Sequence, residues 1–174
     1  SSAASCARDD RSDDAPQLWV AVPVFNEAAG IRSTLDALAA QRDDDFGVVF
    51  VDNNSPDGSA AIIRAFVAGR GLVRWVIIDE PQKGTGAAAD TGMRDAITRG
   101  ATMLARTDAD CLPRDDWTAS IRHCLTPKAQ GGLGLRFVGG DLLPRLDEGL
   151  PWGTRTLLSG AVRLAESFGR IRPG

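Results

Sequence analysis

The sequence predicts an α/β fold, a mainly parallel sheet with helices on both faces. Short apolar runs at 18–24, 47–52, 72–79 and 101–105 alternate with segments whose apolar residues recur every three or four positions. The runs are apolar on consecutive residues, as strands read when helices cover both sides of a parallel sheet. Their ends are polar: Asn26 and Glu27 after the first run, Asp52 after the second, Asp108 and Asp110 after the fourth. Open parallel sheets bind ligands outside the carboxyl ends of their strands, where the strand order reverses, so these ends converge on a candidate site.

Residues 1–16 are small, polar and charged and are expected to form a disordered tail outside the core. The first strand, Leu18 to Val24, is expected to end where Pro23 removes a ladder donor and Phe25-Asn26-Glu27 begins a loop. Glu27 opens the first helix in this reading, with Asn26 as its cap and Ile31, Leu35, Leu38 and Ala39 on its apolar face. The second strand, 47–52, runs into Asn53-Asn54-Ser55-Pro56-Asp57-Gly58-Ser59, a dense turn signal in which Asn53, Asn54 and Asp57 read as turn-makers and Gly58 as a left-handed position. A helix at 59–68 is stopped by Gly69-Arg70-Gly71, and the third strand, 72–79, is closed by Pro81.

Gln82-Lys83-Gly84-Thr85-Gly86 is a glycine loop leading into a helix at 87–99, with Gly86 letting that helix approach the sheet. The fourth strand delivers Asp108. On an extended segment Asp108 and Asp110 project from one face, roughly 7 Å apart. Two such carboxylates repel each other, which suits a divalent cation or a cationic partner between them, the alternative being a solvated turn. Beyond Pro113 the pattern predicts a helix at 114–125 around Trp117, Ile121 and Leu125, a fifth strand at 133–140 and a helix at 154–168. Trp117 and Trp152 read as core residues rather than sugar platforms.

The 174 residues suit one domain with a sizeable core. A net charge of −3 argues against a nucleic-acid partner. No apolar run approaches the roughly 18–20 residues of a membrane-spanning helix. Cys6, Cys111 and Cys124 lack metal-ligand spacing, and their odd number points to a reducing, cytoplasmic compartment. His123 beside Cys124 reads as a surface histidine, since neighbours on a helix diverge by about 100°. After Pro127 the chain carries Lys128 and six arginines against Asp141, Asp147, Glu148 and Glu166, a local charge of +3. Such a basic amphipathic segment more often packs on its own domain, with peripheral membrane contact as the alternative.

Four motifs, VAVPVFNEAAGI at 20–31, VDNNSPDGS at 51–59, KGTGAAADTG at 83–92 and TDADCLPRDDW at 107–117, resemble in order those of the inverting, family-2 type of nucleotide-sugar glycosyltransferase with the Rossmann-like GT-A fold. The resemblance covers about 18–117 and divides the chain into a tail at 1–16, a nucleotide-sugar-binding α/β domain at 17–126 and a basic segment at 127–174 that begins the acceptor region or is its truncated end. It implies that Pro23, Val24, Phe25 and Glu27 line the nucleoside pocket, that Asp52 accepts a hydrogen bond from the base and that Lys83 sits near the donor. It places Asp108 on the ribose or sugar side and Asp110, with Asp108, at a Mg²⁺ or Mn²⁺ ion on the diphosphate. The implied partners are a nucleotide-diphosphate sugar and a glycan, lipid or small-molecule acceptor.

One departure matters. Direct displacement at the anomeric carbon needs a base for the acceptor hydroxyl. The family supplies it from a later acidic motif, and neither Asp141 nor Asp147-Glu148 matches that motif. A donor-binding fragment is therefore the expectation. A non-catalytic nucleotide-diphosphate-binding module is the first alternative. A sugar nucleotidyltransferase is the second, although it calls for a glycine- and Arg/Lys-rich loop where this chain has Phe25-Asn26-Glu27-Ala28.

Overall fold

The computed structural model describes residues 18–140. The expected tail at 1–16, Asp141, Asp147, Glu148, Trp152 and the helix expected at 154–168 lie outside the described residues. The chain divides into two units at the boundary between Val138 and Gly139, and the sheet with its helices belongs to the first.

The element order is β1 (Leu18–Val24), α1 (Ile31–Ala39), β2 (Phe46–Asp52), α2 (Ser59–Arg70), β3 (Trp75–Asp79), α3 (Thr85–Thr98), β4 (Met103–Arg106) and α4 (Trp117–Leu125), then a 3₁₀ turn at Lys128–Gln130. The strands pair in parallel in the order β3-β2-β1-β4. The chain steps from β1 to β2 to β3 in one direction, then returns to the far side of β1. Right-handed crossovers put helices for opposite steps on opposite faces. Accordingly α1 and α2 pack on the face carrying Leu18, Val20, Val22 and Val24, with α4 beside them, while α3 covers Trp19, Val49 and Val51. Burying each of the larger side chains contributes roughly 1.5–3 kcal/mol. Strand order reverses between β1 and β4, which opens the crevice for a ligand there.

Local details refine the expectations. β1 has its expected bounds, Leu18–Val24, with Pro23 inside it. Thr107 donates its N–H to the Ala21 carbonyl on the β4 side (3.2 Å), and Asn53 donates to the Val24 carbonyl on the β2 side (2.9 Å). Alternation then turns the Pro23 nitrogen toward β4, whose pairing with β1 has already ended at Ala21 and Arg106. No ladder bond is lost there, so the strand continues through Val24.

Glu27 does not open α1, and Asn26 does not cap it. Asn26 turns the chain in the left-handed region (φ 57°), the Glu27 carbonyl accepts the N–H groups of Gly30 and Ile31, and α1 begins at Ile31. Leu72 to Arg74 form a turn closed by Trp75 N–H to the Leu72 carbonyl (2.9 Å), which delays β3 to Trp75. Helix α3 starts earlier than predicted, at Thr85, after Gly84 adopts φ 128°, a conformation that side chains avoid. Gly86 faces open space. Close approach to the sheet is instead made at Gly92, where a Cβ would lie 2.8 Å from Val51 Cγ2 and 3.2 Å from Ala21 Cβ.

The fifth strand expected at 133–140 is not formed. Leu133, Gly134 and Leu135 donate their N–H groups to the carbonyls of His123, Thr126 and Cys124 (2.9, 2.8 and 2.9 Å), which satisfies acceptors left over at the end of α4. Among the described residues no helix is long and apolar enough to cross a membrane.

Candidate functional site

The loop after β2 shapes the loop after β1. Asn26, Glu27 and Ala28 donate their backbone N–H groups to Ser55 Oγ (3.1 Å), Ser59 Oγ (2.8 Å) and Asp57 Oδ2 (2.8 Å). Asp57 Oδ1 also accepts from the Ser59 hydroxyl (2.6 Å) and the Ser59 N–H (3.0 Å). The Ser59 hydroxyl above all, then the Ala28 N–H, holds the Asp57 carboxyl below its ordinary value. These residues clamp the segment that carries Glu27.

Asn53 is buried and joins the loop after β2 to the loop after β3. Its Nδ2 donates to the carbonyls of Glu80 (2.8 Å) and Gln82 (2.7 Å), and its Oδ1 accepts the Gly84 N–H (2.8 Å). That last bond fixes the entry to α3.

The two aspartates lie on a turn rather than on an extended strand. The sheet ladder ends with the Thr107 N–H, and the Asp108 carbonyl then accepts the Cys111 N–H at 3.1 Å. Ala109, 3% exposed, points into the core, while Asp108 and Asp110 stay exposed on either side of it. The buried Thr34 hydroxyl on α1 donates to the Ala109 carbonyl at 2.7 Å. Asp108 Oδ1 accepts from Arg106 Nη2 at 3.1 Å.

Burial pushes the Glu27 carboxyl above its ordinary value, and the charges of Asp110 and Asp57 push the same way. Burial likewise raises the Cys111 thiol; the Asp108 backbone contact opposes this, while the Asp110 and Asp108 charges add to it. Carboxylates from the β1 and β4 ends therefore repel one another across a shared space.

That space is a cleft of about 300 Å³ lined by Pro23, Val24, Phe25, Glu27, Asn53, Thr85, Ala88, Asp108, Ala109 and Asp110. Six of the residues expected at the site, Pro23, Val24, Phe25, Glu27, Asp108 and Asp110, meet there. Asp52 and Lys83 are not among the lining residues. Asp52 stands at the end of β2 with Oδ2 receiving the Ser55 N–H at 3.4 Å, and its buried Oδ1 has no hydrogen-bond partner. Lys83 is exposed on the loop before α3. Sequence reasoning missed Asn53, Thr85, Ala88 and Ala109 as lining residues. The available signal was the small-residue run after Gly84, which leaves room beside the N-terminus of α3.

A hard divalent cation needs oxygen donors. Asp108 and Asp110 offer carboxylates at the cleft, and Glu27 adds negative potential. Among the described residues no group of three or more ligating side chains is gathered, so these carboxylates would supply only part of a cation's oxygen donors.

A family model described as Glycosyl transferase family 2 matches residues 19–123. Among curated proteins, the glycosyltransferase AglE of Haloferax volcanii is 31% identical over 129 residues, covering 73% of this chain and 40% of that protein. A dolichol-phosphate mannosyltransferase of Mycosarcoma maydis is 29% identical over 157 residues, covering 86% of this chain and 51% of that protein. The chain thus spans about half or less of the length of these relatives.

Among solved structures, the Pyrobaculum calidifontis mannosyltransferase PcManGT in complex with GDP-Man and Mn²⁺ is similar at a TM-score of 0.53 and 31% identity, over 58% of this chain and 30% of that one. S. aureus TarS 1–349 in complex with UDP-GlcNAc is similar at a TM-score of 0.52 and 20% identity, over 60% of this chain and 29% of that one; this second likeness concerns the fold alone.

Proposed function

We propose, on the premise that this chain belongs to glycosyl transferase family 2 and has the GT-A fold, that its cleft holds the nucleoside diphosphate of a sugar donor together with Mg²⁺ or Mn²⁺. The sugar then passes to an acceptor oxygen by direct, inverting displacement, in which the bond from the anomeric carbon to the nucleoside diphosphate breaks. The single observation that carries this reading is the meeting of Glu27, Asp108 and Asp110 on one cleft where strand order reverses. Three carboxylates facing a diphosphate would repel it, so binding there calls for a cation between them.

In this reading Pro23, Val24 and Phe25 give the nucleoside an apolar wall. Asp52, whose Oδ1 lacks a partner, accepts a hydrogen bond from the base after a small shift of the loop. Lys83, on the loop before α3, swings toward the diphosphate. Asp108 orients the ribose or sugar side, and Asp110, with Asp108, holds the cation. When bound, the cation neutralises charge building on the departing nucleoside diphosphate.

The acceptor is a glycan, a lipid or a small molecule, and the name of the Mycosarcoma maydis relative supports a lipid-linked one. Such an acceptor suits a cytoplasmic chain touching the membrane peripherally through its basic segment at 127–174. The base that takes the acceptor proton is sought in acidic residues beyond the described cleft.

Calorimetric titration with UDP and GDP, each with and without Mn²⁺, tests the binding reading. Tighter binding of one diphosphate in Mn²⁺ is the expected result, and no binding of either would refute it. A donor-hydrolysis assay on the same chain separates an active transferase from a silent binding module.

A further inference from the structure

We propose that Thr34 is the positioning residue for the Asp108–Asp110 turn, holding both carboxylates toward the cleft through the Ala109 carbonyl. The proposal rests on the reading of those carboxylates as the cation-handling pair. Thr34 sits on α1 with no exposed surface. Threonine is a mediocre helix former, and a hydroxyl in an apolar interface is unfavourable unless it is bonded. In a helix that bond often goes back one turn to the helix's own carbonyl. Here it goes to Ala109, 75 positions away, at 2.7 Å.

The bond completes a three-point hold on the turn. The Ala109 side chain is in the core cluster, its carbonyl is bonded to Thr34, and the Cys111 N–H closes the turn on the Asp108 carbonyl at 3.1 Å. With the middle residue fixed at side chain and carbonyl, the flanking carboxylates are left to face the cleft. Gln41, just past α1 and also buried, serves the downstream chain in the same way. Its Nε2 donates to the Arg114 carbonyl (2.7 Å), and its Oε1 accepts the Thr118 N–H (3.0 Å). Thr34 and Gln41, the buried polar side chains on and just past α1, are thus both directed at the segment following β4.

Thr34→Val is nearly isosteric and removes only the donor; Thr34→Ser keeps it. Ile63→Val, a core truncation under α2, serves as a comparator that loosens the domain without touching the turn. Two quantities are measured on the 174-residue chain: hydrogen exchange of the Cys111 amide, and the gain in GDP or UDP affinity conferred by Mn²⁺.

Thr34→Val is expected to speed Cys111 exchange and to cut the Mn²⁺ gain, each by about tenfold, leaving metal-free GMP or UMP affinity unchanged. Thr34→Ser restores both, and Ile63→Val keeps the Mn²⁺ gain. Unchanged Cys111 exchange in Thr34→Val would overturn the Thr34 assignment, and so would a lost gain matched by Ile63→Val. A wild-type chain with no Mn²⁺ gain would instead refute the cation reading of Asp108 and Asp110, and with it the cation-positioning role; the amide exchange would still report whether Thr34 anchors the turn.

Discussion

Gly84 donates its backbone N–H to the Asn53 side-chain oxygen at 2.8 Å across 31 positions. The same side chain gives its two amide protons to the Glu80 and Gln82 carbonyls, so one buried residue satisfies three backbone groups. Asn53→Asp keeps the shape, removes both donors and sets a carboxylate against two carbonyls. It is expected to cost about 2–3 kcal/mol, read as a fall of about 5–10 °C in the thermal midpoint. A midpoint unchanged from wild type would show that Asn53 is only a turn-former.

The two glycines of α3 should respond oppositely. Gly92→Ala forces a methyl against Val51 and Ala21 and should destabilise by about 1–3 kcal/mol. Gly86→Ala meets open space within the helix and should stabilise by about 0.4–1 kcal/mol. Urea denaturation of the two variants decides both.

Glu27→Gln tests the repulsion across the cleft. Burial, Asp110 and Asp57 raise the Glu27 pKa in the folded chain above its ordinary 4.5. A raised folded-state pKa means that ionising Glu27 weakens the fold, so this cost is absent below pH 4.5 and grows as pH rises through the folded value. Glu27→Gln should therefore be more stable than wild type at pH 7 and equal to it near pH 4, as read from thermal midpoints across that range. A constant difference between the two chains would remove the electrostatic account.

Strand ends were legible because consecutive apolar residues report burial on both faces, and β1 runs to the end of its apolar run at Val24. Helix α2 starts at Ser59 as its turn signal indicated, but the starts of α1 and α3 were not legible. The register of α1 depends on Ser55, Asp57 and Ser59 drawing in the N–H groups of residues 26–28 from 29 to 32 positions away, which no local pattern records. The spacing of Asp108 and Asp110 pointed to a shared face for the wrong reason. The segment turns at Ala109, and the core and Thr34, rather than strand alternation, set where the carboxylates face. The run at 133–140 has the composition of a strand, but the open carbonyls at the end of α4 draw in its N–H groups. Asn53 read as a turn residue because its three acceptors and donors come from sequence far downstream.

The most direct measurement is calorimetry of GDP and UDP binding, with and without Mn²⁺, on the wild-type chain and on Asp110→Ala. Asp110 is exposed at the cleft, so its loss should leave the thermal midpoint nearly unchanged. The wild type is expected to bind one diphosphate about tenfold or more tightly in Mn²⁺, and Asp110→Ala to bind it equally with or without the ion. A folded Asp110→Ala chain that keeps the full Mn²⁺-dependent gain would contradict the account.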